Sequence, residues 1–134
     1  MLNALHNDAL GKLILRLALG IMILLHGINK LINPESLSWI GDTLAANGLP
    51  TVLAYGVLLG EVIAPLMVIL GWNARIGGLL IAGNMLVAIY LAHMNQLFTL
   101  GDSGGWALEL QGMFLFGAVA LMFLGSGRMA IKPD

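Results

Sequence analysis

Four apolar runs, at residues 13–32, 52–71, 76–93 and 106–125, leave this chain few folds to choose from. Each is close to the roughly 20 residues that an α-helix needs to cross about 30 Å of hydrocarbon. Inside a bilayer every backbone N–H and C=O must find its partner within the protein, so only helices and closed β-barrels can span it. A barrel strand would alternate apolar and polar residues, and none of these runs does. The expected fold is therefore all-α, an integral membrane four-helix bundle. Composition agrees, with 59 % of the residues apolar and 10 % charged, against about 25 % charged in soluble domains.

The connections fit a single domain over residues 1–134. Residues 33–51 read as a polar loop, 72–75 as a tight turn and 94–105 as a Gly/Asp/Ser loop. Within the first loop, residues 35–47 are predicted to form a short interfacial helix with Trp39 and Ile40 toward lipid, followed by a turn at Gly48–Pro50. The amino end lacks a small-x-small cleavage site after its apolar part and reads as a retained first helix. If that end is cytoplasmic, Lys12, Arg16, Arg75, Arg128 and Lys132 lie inside and Lys30 alone lies outside, which places both termini in the cytoplasm. Glu35, Asp42, Asp102 and Glu109 collect on the opposite face.

The net charge of −1 gives no basic footprint for nucleic acid. Without cysteine the chain cannot exchange thiols and disulfides or hold an iron–sulfur cluster on thiolates. No intrinsic cofactor is evident, so any redox chemistry must come from a partner protein or a bound small molecule.

The ionisable residues inside the runs narrow the reading further. At 100° per residue, Arg16, Gly20, Ile23, His26, Gly27 and Lys30 share an arc of roughly 120° on the first helix, the width of an inward-packing face. In the second run Glu61 lies near mid-membrane, where a charge on a lone helix costs at least about 2.5 kcal/mol. Pro65, four residues on, removes the amide that would bond the Glu61 carbonyl, which predicts a bend and a free acceptor. Gly56 and Gly60 suit close approach of another helix. In the third run Asn84 and His93 fall on opposite sides of a regular helix; Asn84, which shares its face with Gly77, Leu80 and Ala88, is placed inward and His93 at the interface. In the fourth run Glu109 lies about a turn inside the outer boundary, on the face of Gly112 and level with Lys30. The expected cluster is an outward-opening polar pocket of His26, Lys30, Glu61, Asn84 and Glu109, with Arg16 near its cytoplasmic end.

A structural role competes at each position. Lys30 and Glu109 would form an ion pair that holds two helices in register, with Glu61 neutralised by a proton or by His26. Arg16 would snorkel to the membrane edge, Arg75 would be a topology signal, and Trp39, Trp72 and Trp106 would form an aromatic belt. Haem would need two imidazoles on a shared face, and the helical wheel turns either His26 or His93 away. No metal site is expected, and no phosphate loop, nucleophile elbow or zinc motif is present.

"LILRLALGIMILLHGINKL" with Arg16, Gly20, Gly27 and Lys30, "NGLP", Glu61 in the second run, "LGWNAR" and "WALELQGMFLFGAVALMFLGSGR" together resemble the DoxX family of small four-helix bacterial membrane proteins. The resemblance runs over nearly the whole chain. Gly125 and Gly127 match the family's closing Gly-x-Gly, whereas Met129, Ala130 and Ile131 depart from its Ser-Leu-Asp-like tail. It implies a multi-pass protein of the bacterial inner membrane, associated with quinol oxidase and thiosulfate:quinone oxidoreductase systems or with complexes that handle oxidative or thiol stress. The wider superfamily, which includes membrane chaperones and cargo receptors, implies no single chemistry.

Three functions are compatible with these residues. The chain is the membrane subunit of an oxidoreductase complex, offering His26, Lys30 and Glu61 to a quinone or small sulfur substrate. Alternatively it is a non-catalytic assembly or docking module whose buried charges specify helix pairing. A proton-linked carrier using Glu61 is the third, and four short helices would need a homo-oligomer to provide alternating access.

Overall fold

A computed structural model of the chain describes residues 5–33 and 35–134. Residues 1–4 of the expected first helix and residue 34 of the expected outer loop lie outside the described residues.

Helix α1 (Asp8–Ile32) starts where the Asn7 side chain accepts the Leu10 N–H at 3.0 Å, with Asp8 in the first turn, both favourable at the positive end of a helix. The short α2 (Glu35–Ala46) matches the interfacial helix expected at 35–47. Helix α3 (Thr51–Leu70) opens as a 3₁₀ turn after Pro50 and ends at Gly71, whose φ of 72° is easy for glycine. Helix α4 (Ala74–Ala92) and helix α5 (Glu109–Leu124) follow. Residues Asp8–Ile32, Thr51–Leu70 and Ala74–Leu91 are each long and apolar enough to cross a membrane. The fourth run yields a shorter helix. Trp106 pairs in an isolated bridge with Leu100, residues 107–108 stay in a turn and Gly125 ends α5 with φ 76°, leaving 16 residues, or about 24 Å at 1.5 Å per residue.

The core is built from one side of each long helix: Leu19 and Ile23 of α1, Ala64 and Val68 of α3, Ile81 and Met85 of α4, and Phe114, Ala118 and Leu121 of α5. Glycines set the spacing. A Cβ on Gly78 would lie 2.9 Å from the Ala118 carbonyl oxygen, and one on Gly77 would lie 3.1 Å from that of Ala64, so α4 closes tightly on both neighbours. Of the expected inward face of α1, Arg16, Gly20, Ile23 and Gly27 are buried, Lys30 is half-buried and His26 is exposed.

The hydrogen bond that Pro65 removes changes the helix locally. Residues Leu59–Ile63 make a π-helical turn in which the Ala64 N–H donates to the Leu59 carbonyl, five residues back. The Glu61 carbonyl, which Pro65 cannot serve, abuts Gly27, and any Cβ at position 27 would overlap it. Gly20 repeats the contact two turns away, where a Cβ would lie 3.1 Å from the Pro65 carbonyl oxygen. Helix α1 therefore lies against α3 through backbone, along the stripe that carries Arg16 and Lys30.

At the end of the bundle where α1 begins, Arg16 is 1 % exposed. Its Nε donates to the Val68 carbonyl at 2.9 Å and its Nη2 to that of Ile69 at 3.0 Å. Its Nη1 donates to the carbonyls of Ser126 (3.0 Å) and Met129 (2.7 Å). This corrects two expectations: Arg16 does not snorkel, and it is no part of a pocket with Lys30. The last turn of a helix leaves carbonyls without donors, and a guanidinium offers five N–H groups in a rigid fork. Arg75, expected as a topology signal, also caps a helix, donating to Met122 (2.8 Å) and Phe123 (3.0 Å) at the end of α5. The segment after α5 folds across this end, with the Ile131 N–H on the Leu70 carbonyl and the Lys132 N–H on that of Gly71.

Candidate functional site

The opposite end of the bundle holds the polar side chains. Because α1 and α3 touch at Gly27 and Glu61, Lys30, one turn further along α1, folds onto the Glu61 carboxylate. Its Nζ lies 3.0 Å from each carboxylate oxygen. Glu61 is only 6 % exposed and Lys30 is half-buried. The ion is thus compensated inside the protein, as a buried carboxylate requires.

The pair expected between Lys30 and Glu109 does not form. Glu109 is the first residue of α5, exposed, with its carboxylate over Gly105, where a Cβ would meet Oε2 at 2.6 Å. The apolar run places the helix start at residue 106. Since α5 begins three residues later, Glu109 occupies the first turn, a favourable place for a carboxylate, and stands outside the pocket.

A chamber of about 190 Å³ opens beside the ion pair between α2, α3 and α4, lined by Lys30, Glu61, Asn84, Trp39, Thr43 and His93 among others. A second cavity of about 150 Å³ lies across the pair toward α5, bordered by His26, Gln111 and Phe114. Lys30, Glu61 and His93 border both, so the ion pair is part of the wall between them. Of the six residues expected to cluster, His26, Lys30, Glu61 and Asn84 line these two spaces, and Arg16 and Glu109 do not. His26 is exposed and sets its ring edge-on to Phe114, 5.8 Å between centroids. Asn84 packs against Gly60, where a Cβ would lie 2.5 Å from its own.

Sequence reasoning missed four lining residues. His93 was turned away from Asn84 by the wheel, yet both line the larger chamber. Helix α4 stops at Ala92, and His93, with φ −132° and ψ 11°, has left the helix, so 100° per residue no longer applies to it. Its Nδ1 lies 2.9 Å from Gln96 Oε1. Trp39 and Ile40, expected to face lipid, border the chamber with Thr43 one turn later, and Trp39 also stays 57 % exposed, as a lipid-facing side chain would. Trp106 likewise does more than mark a membrane boundary: its Nε1 donates to the Leu97 carbonyl at 2.8 Å and its ring covers Gly112.

The larger chamber presents an ammonium donor, a carboxylate acceptor, an amide, a hydroxyl and an imidazole around one space whose two charges cancel. That suits a neutral molecule carrying both donors and acceptors. Among the described residues, no three His, Asp or Glu side chains group in a way that could hold a metal ion.

The profile of the DoxX family matches residues 11–94, a segment that contains Lys30, Glu61, Asn84 and His93 but not Glu109. The chain is 29 % identical over 125 residues to the "Putative oxidoreductase CatD" of Bacillus subtilis (strain 168), an alignment covering 92 % of this chain and 86 % of that protein. No solved structure matches.

Proposed function

The chain belongs to the DoxX family, and from that premise we propose that it is the membrane subunit or partner of an oxidoreductase complex, holding a quinone or small sulfur substrate against Lys30, Glu61 and Asn84. In this reading it is a single domain of the bacterial inner membrane that crosses four times, with α5 as the shortest span and both termini in the cytoplasm. The observation that carries the reading is the Lys30–Glu61 pair, buried yet bordering open space on both sides. The likeness to a protein named as an oxidoreductase supports the reaction class. Lys30 and Asn84 donate to a carbonyl oxygen of the ligand, Glu61 exchanges a proton with it, and the electrons come from the partner protein.

Glu61→Gln tests this directly. Glutamine keeps the shape and an acceptor for Lys30 but cannot take up a proton. Accumulation in the membrane should persist while partner-supported activity falls at least about 100-fold, the lower range for losing a general acid–base group. Activity at the wild-type level in this variant would leave the assembly module as the better reading. That second reading is favoured by one observation, the satisfaction of Glu61 by a helix neighbour without any ligand.

Orientation has its own test. The chain has no cysteine, and Ser38 on α2 is exposed, so Ser38→Cys provides a single thiol. A membrane-impermeant maleimide should label it in intact spheroplasts. Labelling only after the membrane is broken would reverse the topology.

A further inference from the structure

A third cavity, of about 720 Å³, lies between the end of α1, α2 and the start of α3. Its polar lining is the Lys30 ammonium, the Asp42 carboxylate and the hydroxyls of Ser38, Thr51 and Tyr55. All of these except Lys30 are exposed, so the cavity is a vestibule that opens at the end of the bundle. A water molecule needs roughly 10–15 Å³ of such a space and two to four polar partners, and the vestibule provides both many times over.

This space ends at Lys30. Helix α2 turns Ser38 and Asp42 toward the vestibule and Trp39 and Thr43 toward the chamber, and so divides the two. Among the described residues, Lys30 alone borders the vestibule and both inner cavities. Its side chain is 20 % exposed against 8 % for that of Glu61, so water reaches the ammonium more readily than the carboxylate behind it. The other titratable groups around the pair are His26 and His93 on the inner cavities and Asp42 and Tyr55 in the vestibule. Neither histidine borders the vestibule, which leaves the ammonium as the link between its water and Glu61.

We propose that Lys30 is the proton relay between Glu61 and the water on the side of the membrane that α2 occupies. To protonate Glu61, one Nζ–H bond breaks and the hydrogen passes along the 3.0 Å contact to a carboxylate oxygen. The neutral amine then takes a proton from a hydronium ion in the vestibule, which becomes water. The net change is one proton moved from that aqueous phase to Glu61, and the reverse sequence releases it. Lysine suits this step because its amine shifts its protonation readily when buried, whereas a guanidinium stays charged. The relay rests on Glu61 exchanging protons with a ligand, as proposed above, and names the side from which those protons come.

Two measurements on the full chain test it. The first, in lipid nanodiscs, uses sulfosuccinimidyl acetate, which acylates only neutral amines, with peptide mapping of the three lysines, Lys12, Lys30 and Lys132. Lys30 should be acylated, and Thr51→Trp, which fills the vestibule from its α3 wall, should slow that reaction about tenfold while Lys132, at the other end of the bundle, reacts as before. Ser38→Trp fills the vestibule from α2 and gives the same reading should the first variant fail to fold. A Lys30 that stays unacylated in wild type, or that reacts at the wild-type rate in both tryptophan variants, would overturn the route. The second measurement uses Lys30→Arg, which keeps the charge and the donors to Glu61 but cannot release a proton. It should accumulate and melt like wild type while partner-supported activity falls at least about 100-fold, as in Glu61→Gln. Undiminished activity in Lys30→Arg with loss in Glu61→Gln would overturn the relay and leave Glu61 as the exchanging group. Undiminished activity in both would overturn the site and the relay with it. Should the guanidinium prevent folding, the acylation rates still decide the route.

Discussion

Replacing Arg16 by methionine should remove the protein from the membrane rather than impair its activity. Methionine fills much of the same apolar space but offers no donor, so the carbonyls of Val68, Ile69, Ser126 and Met129 lose their shared partner. An unsatisfied buried polar group costs about 1–3 kcal/mol, and Val68 and Ser126 are both buried, so losing the guanidinium removes a large part of the stability of a typical domain, about 5–15 kcal/mol. Arg16→Lys should recover only part of the loss, because a single ammonium cannot reach carbonyls on α3 and on the segment after α5 from one point as a planar fork does. Immunoblots of membrane fractions and thermal melting of whatever accumulates provide the measurement. An Arg16→Met protein with wild-type abundance and melting temperature would show that the clasp is dispensable.

Arg16 also shows what could and could not be read from the chain. Its inward direction followed from the wheel, since Gly20, Ile23 and Gly27 share its face and all are buried. Its partners did not follow, because they are backbone carbonyls more than 50 positions away, and carbonyls carry no sequence signature. Apolar periodicity and length revealed the long helices and the short α2 because burial acts on many residues at once. The errors sit at helix ends. His93 was misdirected because α4 stops one residue before it, and Glu109 because α5 starts three residues late. A side chain at a helix terminus changes direction completely with a shift of one residue, whereas Glu61, deep within α3, was placed by depth alone. Pro65 predicted a bend and a free Glu61 carbonyl, not the π turn that forms around Glu61. Which register absorbed the missing hydrogen bond depended on the packing of Gly27 against the Glu61 carbonyl.

The second large effect is expected at the ion pair itself. Lys30→Met leaves the Glu61 carboxylate buried without a cation, and Glu61→Leu leaves Lys30 facing an apolar wall. Each single change should cost about 3–5 kcal/mol, the range for removing one partner of a buried pair. Changing both removes two charges and two desolvation costs together, so the double variant should be more stable than either single one. The same cycle run on Lys30 and Glu109 should be additive to within about 0.5 kcal/mol, since Glu109 is exposed and lies over Gly105. Melting in a fixed detergent measures all of these. The double variant also separates the two functional readings, because it restores the bundle while stripping the chamber of its donor and its proton-exchanging group. If the pair serves a ligand, Lys30→Met/Glu61→Leu should be well folded and bind no quinone probe. If the pair serves only to join α1 to α3, the same protein should support its partner's activity undiminished. A double variant less stable than both single ones would mean that the charges do not compensate each other, and the pair would lose its place at the centre of the site.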